Sequence, residues 1–316
     1  MVPQTWTPDG LLADLAAFEQ LLLTECGVAL KRGSSIDRGV RDLLDLISAL
    51  SGEEVVLRDR RRQCLAGVGL ADLVIKTCAV AQHPEFPKFC SHFRELLKEG
   101  GLLQNTRTLY NEDATNKIFE LLMALSLLQV GTDLDLEHPQ ANPGPGNPDV
   151  LIDLDGMRWS LACKVLNARN IKTYFDRVDD GIRQIEKAST ASRGFVVVNL
   201  KNVLHYDALW PPPIAGLRDG AWPSIEDLGA LVEQQVEQFL QDFEQAFGGD
   251  AHIQKLFDAK RAAPVVLNYV NVTAPCVLNG RSILTNLRMI VPLELGTLDG
   301  NTRAALMAVD RCVATP

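Results

Sequence analysis

Residues 147–166, which read NPDVLIDLDGMRWSLACKVL, decide the fold and contain the residues with the clearest chemistry. Two largely apolar or alternating runs, 149–153 and 158–165, flank the pair Asp155-Gly156. Such runs predict β-strands, and an Asp-Gly pair between two strands is a strong signal for a two-residue hairpin turn. This stretch therefore predicts an antiparallel β-hairpin.

The predicted hairpin places an acid beside a lysine. Residues two apart on a strand project from the same face, so Ala162 and Lys164 share a face, and the hairpin can bring Asp149 alongside them. A lysine among apolar neighbours is unfavourable to bury without an acidic partner, which Asp149 can supply. Cys163 points to the opposite face and is expected to be a small core residue rather than a nucleophile.

An acid and a lysine that share a pocket suit two different roles. One role is a structural salt bridge within the sheet. The other is phosphodiester hydrolysis, for which Mg²⁺ takes oxygen ligands from one or two carboxylates, from water and from the substrate phosphate. Such an ion activates a bound water, and a neighbouring lysine can offset the charge that develops in the transition state.

The remaining pattern predicts a mixed α/β sheet flanked by helices, preceded by a helical N-terminal region. The proline- and glycine-rich residues 138–147 are expected to form a loop. Predicted helices cover residues 11–23, 37–50, 65–81, 89–97, 112–130, 174–191 and 225–247. Further predicted strands cover residues 194–200, 264–272 and 287–295.

Pro148-Asp149, the hairpin and Cys163-Lys164, followed by a helix and an apolar strand, resemble the PD-(D/E)xK, or restriction-endonuclease-like, nuclease superfamily. The resemblance covers residues 112–202. It implies a restriction-endonuclease-like core, with a helical N-terminal region at residues 1–103 and a nuclease-like domain at residues 104–316. The implied activity is hydrolysis of DNA phosphodiester bonds with Mg²⁺ or Mn²⁺, in bacterial defence or DNA processing.

The resemblance also implies roles for individual residues. Glu120, on the helix before the hairpin, stands at the position of an additional metal-site acid, and Gln184 matches a polar residue near the site. The implied catalytic positions are Asp149, Lys164, Glu120, Ala162 and Gln184, and the implied metal-site residues are Asp149, Glu120 and Cys163. From their place just beyond the motif strand, Arg169, Asn170 and Lys172 are expected to contact a backbone phosphate.

Ala162 is the departure from the family pattern, because family members often read Glu-Cys-Lys where this chain reads Ala-Cys-Lys. A methyl group cannot bind Mg²⁺, so this form is expected to have lost activity. Three explanations are open. The alanine is an engineered Glu→Ala change, or the protein is a natural pseudonuclease that binds nucleic acid without cutting it. The third is that the acid has moved to the next helix, with Asp180 and Glu186 as candidates.

Composition limits the class of protein and its partners. Hydrophobic residues make up 47% of the chain and charged residues 22%, which is typical of a globular protein. No run approaches the ~20 apolar residues of a membrane-spanning helix, and the first residues lack a signal-peptide pattern. A net charge of −9 excludes a wholly basic nucleic-acid binder but allows a local basic groove. We therefore predict a cytoplasmic protein, not bound to a membrane, whose partner is nucleic acid, DNA in particular. The N-terminal region could form a homodimer or bind a protein partner.

The seven cysteines favour reduced thiols over a disulfide framework or a zinc site. Their number is odd, and no two of them form a C-x-x-C pair. Disulfides are also rare in the cytosol. We therefore expect no disulfide bond.

Overall fold

The structure, a computed structural model, describes residues 8–30, 32–33, 35–50, 60–99, 112–137, 148–188, 190–200, 203–209 and 221–314. Contacts divide the chain into two compact units, an N-terminal unit within residues 6–142 and a C-terminal unit within residues 143–315. This division differs from the predicted domain boundary between residues 103 and 104, which stays a prediction. None of the described helices combines the length and the apolar character that crossing a membrane requires.

The N-terminal unit is mainly helical. In α1, the apolar residues Leu11, Leu15, Phe18 and Leu22 recur at helical spacing, and all four are buried. The Phe18 ring packs edge-on against Phe93, with 6.0 Å between the ring centroids. The described elements are α1 (Pro8–Cys26), α2 (Ser35–Leu50), α3 (Arg60–Ala79), a 3₁₀ turn (Phe86–Phe89), α4 (Cys90–Glu99), α5 (Glu112–Leu127) and β1 (Thr132–Leu136).

A disulfide bond joins Cys26, the last residue of α1, to Cys90, the first residue of α4. The expectation of reduced thiols is therefore wrong for these two residues. Their 64-residue separation explains the error, because only the packing of α1 beside α4 reveals the pair. The Arg94 guanidinium donates to the Cys26 carbonyl at 3.0 and 2.8 Å, which strengthens the same junction. Disulfides are typical of oxidising compartments, so this bond does not support the cytoplasmic prediction.

We predict that reduction of the Cys26–Cys90 bond destabilises the N-terminal unit by up to about 4 kcal/mol, because the bond closes a long loop in the unfolded chain. Hydrogen exchange of the α1 and α4 amides, with and without reductant, measures the effect. The Cys26→Ala/Cys90→Ala variant is the control and should not respond to reductant. Equal exchange of the unaltered protein under both conditions would contradict the prediction.

The C-terminal unit is built around a mixed sheet. Its described strands run in the order β2-β3-β4-β5-β6, with β3, β4 and β5 parallel and the outer pairs, β2–β3 and β5–β6, antiparallel. The described strands are β2 (Val150–Leu154), β3 (Met157–Val165), β4 (Arg193–Asn199), β5 (Ala262–Leu278) and β6 (Arg281–Glu294). The described helices are α6 (Ile171–Lys187), α7 (Tyr206–Leu209), α8 (Ile225–Ala246), α9 (Asp250–Gln254) and α10 (Gly300–Ala314). Helix α6 packs on β3 and β4, and α10 packs on β6. The predicted mixed sheet flanked by helices is confirmed.

The hairpin predicted at Asp155-Gly156 is present. Val150 pairs with Leu161 and Leu154 with Met157, which leaves Asp155 and Gly156 as the turn. Both residues have positive φ, 49° and 76°, as a type I′ turn requires. The turn fixes the register of β2 against β3. The register in turn determines which side chains before β2 lie beside the end of β3.

Helix α6 is held at both ends by hydrogen bonds. At its start, the Asn170 side chain accepts a hydrogen bond from the Thr173 amide at 2.9 Å. In the first turn, the buried Tyr174 hydroxyl donates to Asn268 Oδ1 on β5 at 2.8 Å. At its end, the Arg261 guanidinium donates to several carbonyls, including Ile185 at 3.0 Å, which satisfies the final turn. These contacts fix the position of α6 relative to β5, the strand next to β4.

Gly181 allows α6 to approach the sheet closely. A Cβ atom at this position would lie 2.7 Å from Val196 Cγ1 and 3.0 Å from Cγ2 on β4. Real Cβ contacts are almost never this short, so a larger residue must push the helix or the strand aside. The close packing of α6 on β4 therefore depends on glycine at position 181, which has no side chain.

We predict that Gly181→Ala destabilises the protein. Overpacking lowers the free energy of unfolding by about 1–3 kcal/mol. The higher helix propensity of alanine over glycine raises it by only about 1 kcal/mol. In a Val196→Ala background the clash is removed, and the same substitution should become neutral or stabilising. Urea unfolding followed by tryptophan fluorescence measures all four proteins. An equal effect in both backgrounds would mean that contact with Val196 is not the cause.

Candidate active site

Asp149 lies directly before β2 and is 5% exposed. Its Oδ2 atom accepts a hydrogen bond from the backbone N–H of Cys163 at 2.6 Å, across the hairpin. A buried carboxylate is stable only when hydrogen bonds or cations replace its hydration. The hairpin register therefore holds Asp149 against the end of β3 by a backbone contact that does not depend on the side chain of residue 163.

The Lys164 ammonium and the Gln184 carboxamide complete the surroundings of this carboxylate. Lys164 Nζ lies 3.4 Å from Asp149 Oδ2 and donates to Gln184 Oε1 at 2.5 Å. Gln184 Nε2 donates to Asp149 Oδ1 at 2.9 Å. The three side chains thus form a closed ring of polar contacts from β2, β3 and α6. The structure brings together the acid, lysine and glutamine that the sequence singled out.

Ala162 is fully buried and pairs with Val196 on the neighbouring strand. It stands two residues before Lys164, so its methyl group projects from the face of β3 that bears the lysine. In place of a second carboxylate, this position offers only a methyl group beside Asp149. Mg²⁺ is bound through oxygen atoms, so of Asp149 and Ala162 only Asp149 offers a ligand atom.

The two acids considered as replacements on α6 have other contacts. The Glu186 carboxylate accepts the backbone N–H groups of Arg261 and Ala262, at 2.6 and 3.2 Å, and so links the end of α6 to the start of β5. Asp180 is half exposed and pairs with Arg183 at 3.2 Å. These contacts do not support a transfer of the missing acid to α6.

Glu120, on α5 of the N-terminal unit, is buried and is held by a lysine on its own helix. Lys117 Nζ lies 2.8 Å from the Glu120 carboxylate and 3.0 Å from that of Glu137, which directly follows β1. The sequence analysis missed Lys117 and Glu137. The i,i+3 spacing of Lys117 and Glu120 on a helix could have indicated Lys117. The role of Glu137 depends on where β1 lies, which the sequence does not indicate.

Lys117 remains firmly protonated in this cluster. Burial works to lower the pKa of Lys117, but the Glu120 and Glu137 carboxylates outweigh burial and raise the pKa above its usual range. One ammonium therefore contacts the carboxyl groups of both Glu120 and Glu137. The participation of Glu120 in a metal site stays a prediction from the resemblance.

All three residues expected to contact phosphate, Arg169, Asn170 and Lys172, are exposed. The Arg169 guanidinium contacts the ring of His205, which follows β4. The third residue, Asn170, uses its Oδ1 atom to cap α6. Cys163, implied as a metal-site residue, is buried and contributes its backbone N–H to Asp149.

Comparison of the chain with protein-family models, with curated proteins and with solved structures finds no match. The mixed sheet and the arrangement of Asp149, Lys164 and Gln184 are therefore the features on which a functional assignment can be based.

We predict that Gln184→Ala destabilises the protein by about 1–3 kcal/mol, because it removes two hydrogen bonds to charged groups and leaves the buried Asp149 less satisfied. Arg183→Ala is the matched control. Its side chain is 62% exposed, so loss of its two aspartate pairs should change the stability little. Urea unfolding at neutral pH compares them. Equal effects would show that the ring adds nothing to stability.

Proposed function

We propose that the protein is a nuclease of the PD-(D/E)xK type with a restriction-endonuclease-like core, and that this Ala162 form is catalytically silent. The observation that carries the proposal is the meeting of Asp149, Lys164 and Gln184 at one end of a hairpin. A helix and an apolar strand follow the hairpin in the order that the resemblance requires. The substrate class is nucleic acid, and DNA is the substrate that the resemblance favours.

In the active form, the carboxylates of Asp149 and of a glutamate at position 162 would hold Mg²⁺ or Mn²⁺, with Glu120 as the additional acid that the resemblance implies. The ion would supply an activated water and polarise the scissile phosphoryl group. Lys164 places a positive charge beside this carboxylate, where it can offset charge that develops on the phosphoryl oxygens. Gln184 holds both partners and so positions Lys164.

A second candidate function is a pseudonuclease that binds or regulates without cutting. Two observations favour it: residue 162 carries no ligand atom, and both oxygens of Asp149 already accept hydrogen bonds. The ring is therefore satisfied without an ion. A structural Asp149–Lys164 pair without any nucleic-acid function has the same geometry, and binding measurements separate these two alternatives.

A role in bacterial defence or DNA processing, a cytoplasmic location and a homodimer or protein partner formed through the N-terminal region are further parts of the proposal. The first follows from the resemblance and the second from composition. The third rests on the helices within residues 1–103, for which the resemblance implies no place in catalysis.

We predict that Ala162→Glu gains Mg²⁺-dependent cleavage of supercoiled plasmid DNA, because it restores the second acidic ligand next to Asp149. Ala162→Gln is the matched control, since it has the same length and no charge, and it should remain inactive. Far-UV circular dichroism and thermal unfolding of both variants check that the buried position accepts a longer side chain.

Two further variants test the roles within the restored protein. Lys164→Ala should lower cleavage by about 10²–10³-fold, the range typical of losing one transition-state contact. Glu120→Gln should raise the Mg²⁺ concentration that half-maximal cleavage requires, because it removes a carboxylate ligand. A folded Ala162→Glu protein that leaves DNA and RNA intact with Mg²⁺ and with Mn²⁺ would reject the nuclease proposal and favour the binding module.

A further inference from the structure

Arg169 and His205 lie in two loops that leave the sheet at the same edge. Strands β3 and β4 are parallel, and their last residues, Val165 and Asn199, pair with each other. Arg169 follows the first strand by four residues, and His205 follows the second by six. Lys164 is the residue just before the end of β3. The two side chains are therefore carried by loops that start beside the ring of polar contacts.

The Arg169 guanidinium and the His205 ring contact each other through Nη1 and Nε2. A guanidinium only donates hydrogen bonds, and an imidazole carries at least one N–H group. The His205 backbone N–H donates to the Gln235 side chain of α8 at 2.8 Å, which ties the loop to that helix. Arg169 and His205 thus form a pair with several N–H donors.

Arg169, His205 and Lys172, which lies in the first turn of α6, are all exposed. The first turn of α6 contains no acidic residue. Acidic side chains are present in the same region, because Glu233 and Glu237 are exposed on α8, the helix that holds the His205 loop. The chain as a whole carries a charge of −9, so a polyanion that binds here must contact the basic side chains rather than these acids.

We infer that Arg169 and His205 together bind a backbone phosphate of the nucleic acid, with Lys172 adding charge beside them. This inference rests on the proposed function and adds His205 to it. The guanidinium offers the paired donors that suit phosphate oxygens, and the imidazole offers one more donor from the neighbouring loop. A phosphate held here lies at the edge of the sheet that Lys164 approaches, so it would guide the strand toward the candidate active site.

The test uses the full Ala162 chain, which is expected to leave DNA uncut during the titration. Fluorescence anisotropy of a short fluorescein-labelled DNA duplex measures affinity between about 50 and 200 mM salt. Arg169→Gln should weaken binding about tenfold, as expected for loss of a charge-assisted contact, and lower the salt slope by about 0.9. His205→Gln should also weaken binding, because it removes the imidazole that contacts Arg169.

Lys187→Gln is the matched control, since Lys187 is exposed in the last turn of the same helix, about 22 Å from Lys172 along the axis. It should leave both the affinity and the slope unchanged. Thermal unfolding of each variant checks folding, which these exposed positions should not disturb. The imidazole resonance of His205 is identified in NMR spectra as the one that His205→Gln lacks. This resonance should shift when unlabelled duplex is added to the unaltered protein.

The inference is overturned if the unaltered chain does not bind the duplex, or if Arg169→Gln and His205→Gln bind it as Lys187→Gln does. These outcomes are independent of cleavage. An Ala162→Glu protein that cuts DNA while the Arg169 and His205 variants bind normally would keep the proposed function and reject this phosphate site. A protein that never cuts DNA but loses binding in both variants would keep the site and reject the nuclease.

Discussion

The buried carboxylate of Asp149 is the group on which the arrangement of the C-terminal unit depends. Such a group is tolerated only where donors surround it, and here two elements supply three donor groups. Strand β3 gives the Cys163 backbone N–H and the Lys164 ammonium, and α6 gives the Gln184 amide. The hairpin register and the position of α6 must both be correct for this to occur. Gly181 and the contacts at each end of α6 meet the second requirement.

Much of this arrangement could be predicted from short-range signals. Asp155-Gly156 gave the first hairpin because its residues adopt the positive φ values of a tight turn. The same signal at Asn279-Gly280, with φ of 51° and 74°, was overlooked. As a result, β5 and β6 were predicted as two separate, shorter strands rather than one long hairpin. Pro275 within β5 also obscured the strand, because proline is usually excluded from strand interiors.

Other features required knowledge of the tertiary structure. Strand β1 has two aspartates among five residues, a composition that strands usually avoid, and only Leu134 in it is buried. The Cys26–Cys90 bond joins residues that no sequence spacing connects. Glu137 and His205 gain their significance from partners far away in the chain. At the site, the sequence indicated which side chains meet, whereas their mutual hydrogen bonds depend on how α6 packs on the sheet.

The location of Ala162 has an evolutionary consequence. Its strand is hydrogen-bonded to β2 as far as Leu161 and to β4 at residue 162 itself, so the backbone there is held by its neighbours. Alanine and glutamate codons can differ by a single base, GCA against GAA. Under the proposed function, a gene lineage could therefore switch the enzyme off, or recover it, by one point mutation while inheriting the scaffold intact.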